Sequence, residues 1–312
     1  MDFSLSDEQV LLRDTARALL TKECPPSLVR AHMDDPGAAD ALWPHLEGWI
    51  ELADGPLVDL CLFLEEAGAV LLPGPFLPTV LARALDPSVA GTATIAVAGS
   101  DGVWLPNDDR ERTFVLEADR VDAMVVVGTR GARAFEPPSA PERVELLDST
   151  RRPFTVAVDS VGASDHDIAA WLERATVAVA ADLLGTARSL FERSVAYAKE
   201  RVQFDVPIGS FQAIQHKLAD VAVEVERASA AVSYAAMCID ADDPDRHRAT
   251  HVAKASAGAA ATKAAKDAAQ VHGGIGYTWE HDLHLFIRRA YASEHLLGTR
   301  SWHHDRLAAL LF

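Results

Sequence analysis

The sequence predicts a mainly α chain of the α+β class: an N-terminal helical domain over 1–85, a small middle β-sheet or barrel domain over 86–162, and a C-terminal four-helix bundle over 163–312. Three observations predict it. Apolar residues recur with helical period at the start, short β-branched runs separated by turn residues fill the middle, and long alanine-rich segments follow Asp165. At 312 residues, 49% hydrophobic and 24% charged, the chain is long enough for two or three cores and too apolar for wholesale disorder.

The first helix follows Ser6 and Gln9, which have capping-box spacing, and Val10, Leu11, Ala16, Leu19 and Leu20 then repeat with helical period. Further helices are expected over Ala41–Ile50 and Val58–Leu72, before Pro73, Gly74, Pro75 and Pro78 break the pattern. Strands are expected at Thr92–Ala98, Thr113–Leu116, Met124–Val127, Arg143–Leu147 and Phe154–Val158, arranged as a small antiparallel sheet or barrel. Helices follow over 168–201, 211–240 and 245–271. The last presents Ala253, Ala257, Ala259, Ala260, Ala261, Ala264, Ala265 and Ala268; such a face admits a closely packed neighbour, within the bundle or across a subunit interface, or reflects helix propensity alone.

Charge narrows the classes of partner. With 46 acidic and 29 basic residues the net charge is −17, so nucleic acid and an anionic membrane surface are repelled at long range. Cys24, Cys61 and Cys238 are odd in number and show no CxxC spacing, which suggests neither a disulfide framework nor a zinc site; no metal is expected. The amino terminus lacks the basic-then-apolar order of a signal peptide, and no apolar run approaches a membrane span, so a cytoplasmic protein is expected.

Two segments ask for more than helical packing. In the first, Arg201 ends a helix, a turn through Pro207 and Gly209 follows, and Gln203, Phe204, Phe211 and Gln212 cluster around it. Arg201 alone is explained by the helix dipole. The cluster adds stackable rings and amide donors, the groups that a dinucleotide's pyrophosphate and adenine require. In the second, Gln270-Val271-His272-Gly273-Gly274 and the following Ile275-Gly276-Tyr277 close the alanine-rich helix. One glycine is enough to end a helix; three in four positions remove side chains where something approaches the backbone.

In this order and spacing the two segments resemble the acyl-CoA dehydrogenase family, which carries an RxQFGxxIxxFQ turn and a QxxGGxGY loop in its C-terminal helical domain. The opening MDFSLSDEQ is similar to the family's first helix, and Asp148–Val161 to the strand that leaves its middle domain. The resemblance implies an acyl-CoA dehydrogenase-like fold and FAD held across a subunit interface, with Arg201 facing the pyrophosphate, Phe204 packing on the cofactor, and Gln212 bonding nearby. Gln270, Val271, His272, Gly273 and Gly274 would line the adenosine end. Asp205 stands where the family has glycine, a change that bears on the turn.

The resemblance also exposes absences. The family's catalytic glutamate precedes a Gly-Thr pair after the glycine loop, and here Leu297 precedes Gly298-Thr299. Leucine accepts no proton. At the family's alternative position, near the start of the first long C-terminal helix, stands Ala175. No TEPxxGSD-like loop and no Trp-x-Thr or Trp-x-Ser strand is found between Val80 and Ser160; Trp104 is followed by Leu105 and Pro106. The implied function is therefore the subunit of an α2β2 FAD-dependent acyl-CoA dehydrogenase, resembling the actinobacterial enzymes for steroid side-chain CoA esters. It completes a partner's FAD site without supplying a base. The partner is a homologous subunit that carries the catalytic glutamate and most of the acyl-CoA contacts. Two other readings stay open: a self-sufficient enzyme with Glu294 or Glu173 as displaced base, and a non-enzymatic interaction protein of the same fold.

Overall fold

The Ser6 hydroxyl accepts the Gln9 N–H at 3.2 Å and the Gln9 side chain accepts the Ser6 N–H at 3.1 Å, so α1 (Asp7–Glu23) opens on the expected capping box. The structure, a computed structural model, describes residues 3–312. The chain continues through α2 (Pro26–Asp34), α3 (Trp43–Leu46), α4 (Leu57–Ala69) and α5 (Phe76–Leu85). The single helix expected over Ala41–Ile50 is instead the one-turn α3 flanked by 3-10 turns, Pro36–Leu42 and Glu47–Ala53. The proline cluster was expected to end helical structure, yet α5 starts inside it. Pro75 is its N-cap and Pro78 lies in its first turn, where no N–H has an intrahelical acceptor to lose.

The middle holds β1 (Ala93–Ala96), β2 (Glu111–Leu116), β3 (Ala123–Val127), β4 (Ala132–Phe135), β5 (Glu142–Arg143) and β6 (Pro153–Ala157). In place of one antiparallel sheet there are two three-stranded sheets, ordered β1-β3-β4 and β2-β6-β5. β1 and β3 run parallel, Ala93 opposite Ala123 through Ala96 opposite Val126. The reason is that the chain leaves β1 to build β2 in the other sheet before it returns as β3, a crossover no hairpin makes. Both parallel strands are buried on both faces. Ala96, Met124 and Val126 face Val115, Phe154 and Val156 of the second sheet, while Ile95, Val125 and Val127 join the helical core on the opposite face.

Next come α6 (Ile168–Glu200), the hairpin β7 (Val202–Gln203) and β8 (Val206–Pro207), α7 (Gln212–Asp240), α8 (Arg246–His272), α9 (Leu283–Glu294) and α10 (Arg300–Leu311). α8 packs against α6, α7, α9 and α10, so its alanine face is buried within this chain. α4 lies on α6 through reciprocal glycines: a Cβ on Gly68 would stand 1.9 Å from the Asp182 carbonyl oxygen, and one on Gly185 1.8 Å from that of Glu65. The N-terminal helices and the bundle therefore share one core. No described helix is long and apolar enough to cross a membrane.

Candidate functional site

Because α6, α7 and α8 alternate in direction, the end of α6, the start of α7 and the end of α8 meet at one end of the bundle. Tyr197, in the last turn of α6, stacks on His272, the last residue of α8, with ring centroids 4.3 Å apart. The two segments that stand out in the sequence are thereby neighbours.

Arg201 is the exposed C-cap of α6, and its carbonyl accepts the Ile208 N–H at 2.8 Å, closing the base of the hairpin. Its guanidinium has no carboxylate within ion-pair distance among the described residues. At the hairpin tip Phe204 and Asp205 have φ of 54° and 65°. That pair of left-handed residues suits a two-residue hairpin but is costly for phenylalanine. Asp205 thus adopts the conformation that glycine would take most readily. The Phe204 ring is 86% exposed, with Phe211 edge-on at 6.1 Å. Gln212 is the exposed first residue of α7. Gly209 is needed internally, since a Cβ there would stand 2.9 Å from the Ala198 carbonyl oxygen.

In the second segment Gln270, Gly273 and Gly274 are exposed, whereas Val271 and His272 are buried. His272 Nδ1 lies 2.9 Å from the Ala268 carbonyl, and burial lowers its pKa. Val271 and His272 position the loop from beneath and present no side chain outward. Gly273, at φ 61° and ψ −142°, occupies a region essentially closed to other residues. Gly274 differs: a Cβ there would meet nothing of this chain within 4 Å, so no internal contact requires its absence. Ile275, Tyr277 and Trp279 continue the exposed surface, with the Arg288 guanidinium 4.9 Å from the Trp279 ring centre.

The base positions lie elsewhere and are closed. Leu297 is buried within the core at φ 54°. Its loop is held by Lys254, whose ammonium donates to the Glu294 and Gly298 carbonyls at 2.8 and 2.9 Å, burial pushing the lysine down to about 8. His303 Nε2 donates to the Leu297 carbonyl at 3.0 Å, and its Nδ1 lies 2.8 Å from His251 Nδ1. Burial, then the Lys254 charge, pushes His303 down to about 3. The Glu294 carboxylate accepts the Arg300 N–H at 2.6 Å, at the start of α10. Glu173 pairs with Arg246 at 3.3 Å and with His247. Ala175 is buried in α6.

Beside this loop a cavity of about 390 Å³ separates Trp104, Phe114 and Leu146 from Tyr291 and Leu296 of the helical side. Asp148 is the only carboxylate lining it among the described residues, and Arg289 bonds that group at 3.0 Å. On the sheet side, Gly99-Ser100-Asp101 does reproduce the last three residues of the TEPxxGSD pattern, but Asp109 takes the Ser100 hydroxyl at 3.0 Å. Sequence reasoning missed Lys254 and Tyr197. A lysine alone on an alanine face was the available signal for the first; nothing local marked the second.

The model of the family described as acyl-CoA dehydrogenase, C-terminal domain, matches residues 168–312. Acyl-CoA dehydrogenase IpdE2 of Mycolicibacterium smegmatis is 33% identical, the alignment covering 99% of this chain and all of that protein. A variant of the Tcur3481-Tcur3483 steroid ACAD superposes with a TM-score of 0.84 at 26% identity, covering 99% of this chain and 98% of that one. The ChsE4-ChsE5 complex from Mycobacterium tuberculosis shares the fold, with a TM-score of 0.84 at 23% identity over 100% and 99% of the two chains.

Proposed function

The chain belongs to the acyl-CoA dehydrogenase family, and we propose that it is the subunit of an α2β2 FAD-dependent acyl-CoA dehydrogenase that completes its partner's cofactor site without supplying the catalytic base. What supports this reading is an asymmetry. At the bundle end Arg201, Phe204, Gln212, Gln270, Gly273 and Gly274 are exposed, while each candidate base position is apolar or its carboxylate is already engaged.

FAD fits the exposed end on the structure's own terms: an unpaired cation, an exposed ring and a glycine whose missing side chain no internal contact explains. Bound there, FAD supplies the hydride acceptor for dehydrogenation between Cα and Cβ of a CoA thioester. The residues of this chain bind and orient. Arg201 neutralises pyrophosphate charge, Phe204 covers the cofactor from one side, and Gln212 donates an amide hydrogen bond. Gly273 and Gly274 let the adenosine end approach the backbone. Proton abstraction then falls to the partner's glutamate, because Leu297 and Ala175 hold no proton acceptor. We place most acyl-CoA contacts in the partner and the assembly in the cytoplasm. We take a steroid side-chain thioester as substrate, by analogy with the steroid enzyme of like fold.

Co-expression with a homologous subunit carrying the glutamate tests this. The expected complex holds FAD only when both chains are present and loses turnover when the partner's glutamate is replaced. A flavin-loaded, active homodimer of this chain alone overturns it.

A further inference from the structure

A second cavity, of about 300 Å³, opens between α1, the turn into α2, the end of α4, α6 and α9. It shares no lining residue with the exposed bundle end or with the cavity beside Leu296. Its walls mix polar side chains with apolar ones, Val29, Val70, Leu71 and Leu285 among the latter, and they include Arg193, a cation with no carboxylate in ion-pair contact although the charges of Glu192 and Asp282 act on it. Arg193 is half-buried, donates from Nε to the Ser189 hydroxyl at 3.2 Å, and lies over the Phe286 ring at 4.3 Å. No carboxylate stands within ion-pair distance of it among the described residues, and its two terminal nitrogens have no protein partner. Desolvation lowers its pKa, though an arginine stays charged.

Two other polar groups of the cavity are accounted for. Arg17 clasps Glu66 with two hydrogen bonds, at 3.0 and 2.7 Å. The Cys24 thiol, pushed up to about 12 by burial, is no nucleophile. The Arg193 guanidinium, bonded at one nitrogen and lying over a ring, keeps its other nitrogens free: the donor pattern that receives a carboxylate in two parallel hydrogen bonds. A dianion is disfavoured, because Glu192 and Glu66 also line the cavity and Arg193 is its only unpaired cation. At about 300 Å³ the space is at the small end of ligand pockets.

The geometry points to a binding site for a monocarboxylate with a short apolar body, its carboxylate held by Arg193 and its chain against Val29, Leu71 and Leu285. This site is independent of the flavin reading, and its ligand is a free acid in place of a CoA thioester.

Titration calorimetry of the full chain, with its partner where the two purify together, tests it with octanoate, octan-1-ol and inorganic phosphate as probes. Octanoate is expected to bind saturably, octanol at least tenfold more weakly, and phosphate not at all. Arg193→Gln is expected to weaken octanoate at least tenfold. Thr21→Trp, which places a ring at the exposed rim of the cavity, is expected to block it and serves if the arginine variant does not fold. The site is disproved if the wild-type chain shows no saturable octanoate binding, if octanol or phosphate binds as well as octanoate, or if a folded variant binds octanoate as the wild type does.

Discussion

The two regions on which the proposed function turns both adjoin α8 and are built in opposite ways. At its C-terminal end α8 carries an open surface, with Gly273 and Gly274 exposed, and Tyr197 on His272 ties it to the end of α6, after which Arg201 is unpaired and Phe204 exposed. About five turns earlier the same helix buries Lys254, which ties down the 294–299 loop by two carbonyls, with Leu297 packed in the core. Both regions hold left-handed backbone, but in the first polar groups lack partners, whereas in the second each hydrogen-bonding group of the loop that we describe is satisfied. Groups left open in that way await something outside the chain, and a loop closed in that way serves the fold.

Leu297→Glu presses hardest on the closed region. A carboxylate there joins an apolar cluster, where burial raises its pKa. A loss of more than about 4 kcal/mol in unfolding free energy is expected, with no gain in turnover per FAD, as urea denaturation and steady-state assays of the complex report. A stable variant whose added turnover survives loss of the partner's glutamate breaks the comparison, because this chain would then own a complete site.

Acid probes the same region through His303. Its folded pKa is depressed to about 3 from 6.5, so between those values the unfolded chain binds a proton that the folded chain refuses. The contribution to stability is therefore complete above pH 6.5 and is lost as pH falls through the window toward about 3, at about 1.4 kcal/mol per pH unit. The cause is burial of the ring first, then the neighbouring Lys254 charge, both of which oppose a second proton on it. Comparing acid unfolding of the wild type and His303→Gln isolates this slope, and identical slopes count against a buried neutral histidine.

At the open end, Arg201→Ala is expected to leave stability within about 0.5 kcal/mol of the wild type, because the side chain is exposed. FAD retention by the complex should weaken by about 1.5–3 kcal/mol, the range for a hydrogen bond to a charged group. Fluorescence of released FAD and thermal unfolding read the two separately; an unchanged off-rate reduces the arginine to a helix-end charge.

The glycines sharpen the contrast within one loop. Gly273→Ala forces a side chain into a glycine-only conformation and should cost about 1–3 kcal/mol of stability. Gly274→Ala meets nothing internally and should cost under about 0.5 kcal/mol, while it still impairs FAD retention. Normal FAD retention by a complex carrying Gly274→Ala means that nothing approaches the loop there.

By itself the sequence determined the order of structure along the chain, helices then strands then long helices, because capping residues, β-branched runs and alanine-rich periods act locally. It also marked Arg201, Gln212 and the 270–274 segment, where residue types exceed what packing needs. Local pattern did not reach the parallel pairing of β1 with β3, the start of α5 among prolines, or the inward direction of Val271 and His272. Those depend on contacts between residues far apart in the chain: the chain's excursion into a second sheet, the room in a first helical turn, and Tyr197 stacking on His272. Only the tertiary structure decided that Glu294 and Glu173 are engaged, that Lys254 closes the loop around Leu297, and that Arg193 lines a cavity with no carboxylate in ion-pair contact. The physical reason is common to all three, since a charged side chain's role is set by which partners the fold brings within hydrogen-bonding reach.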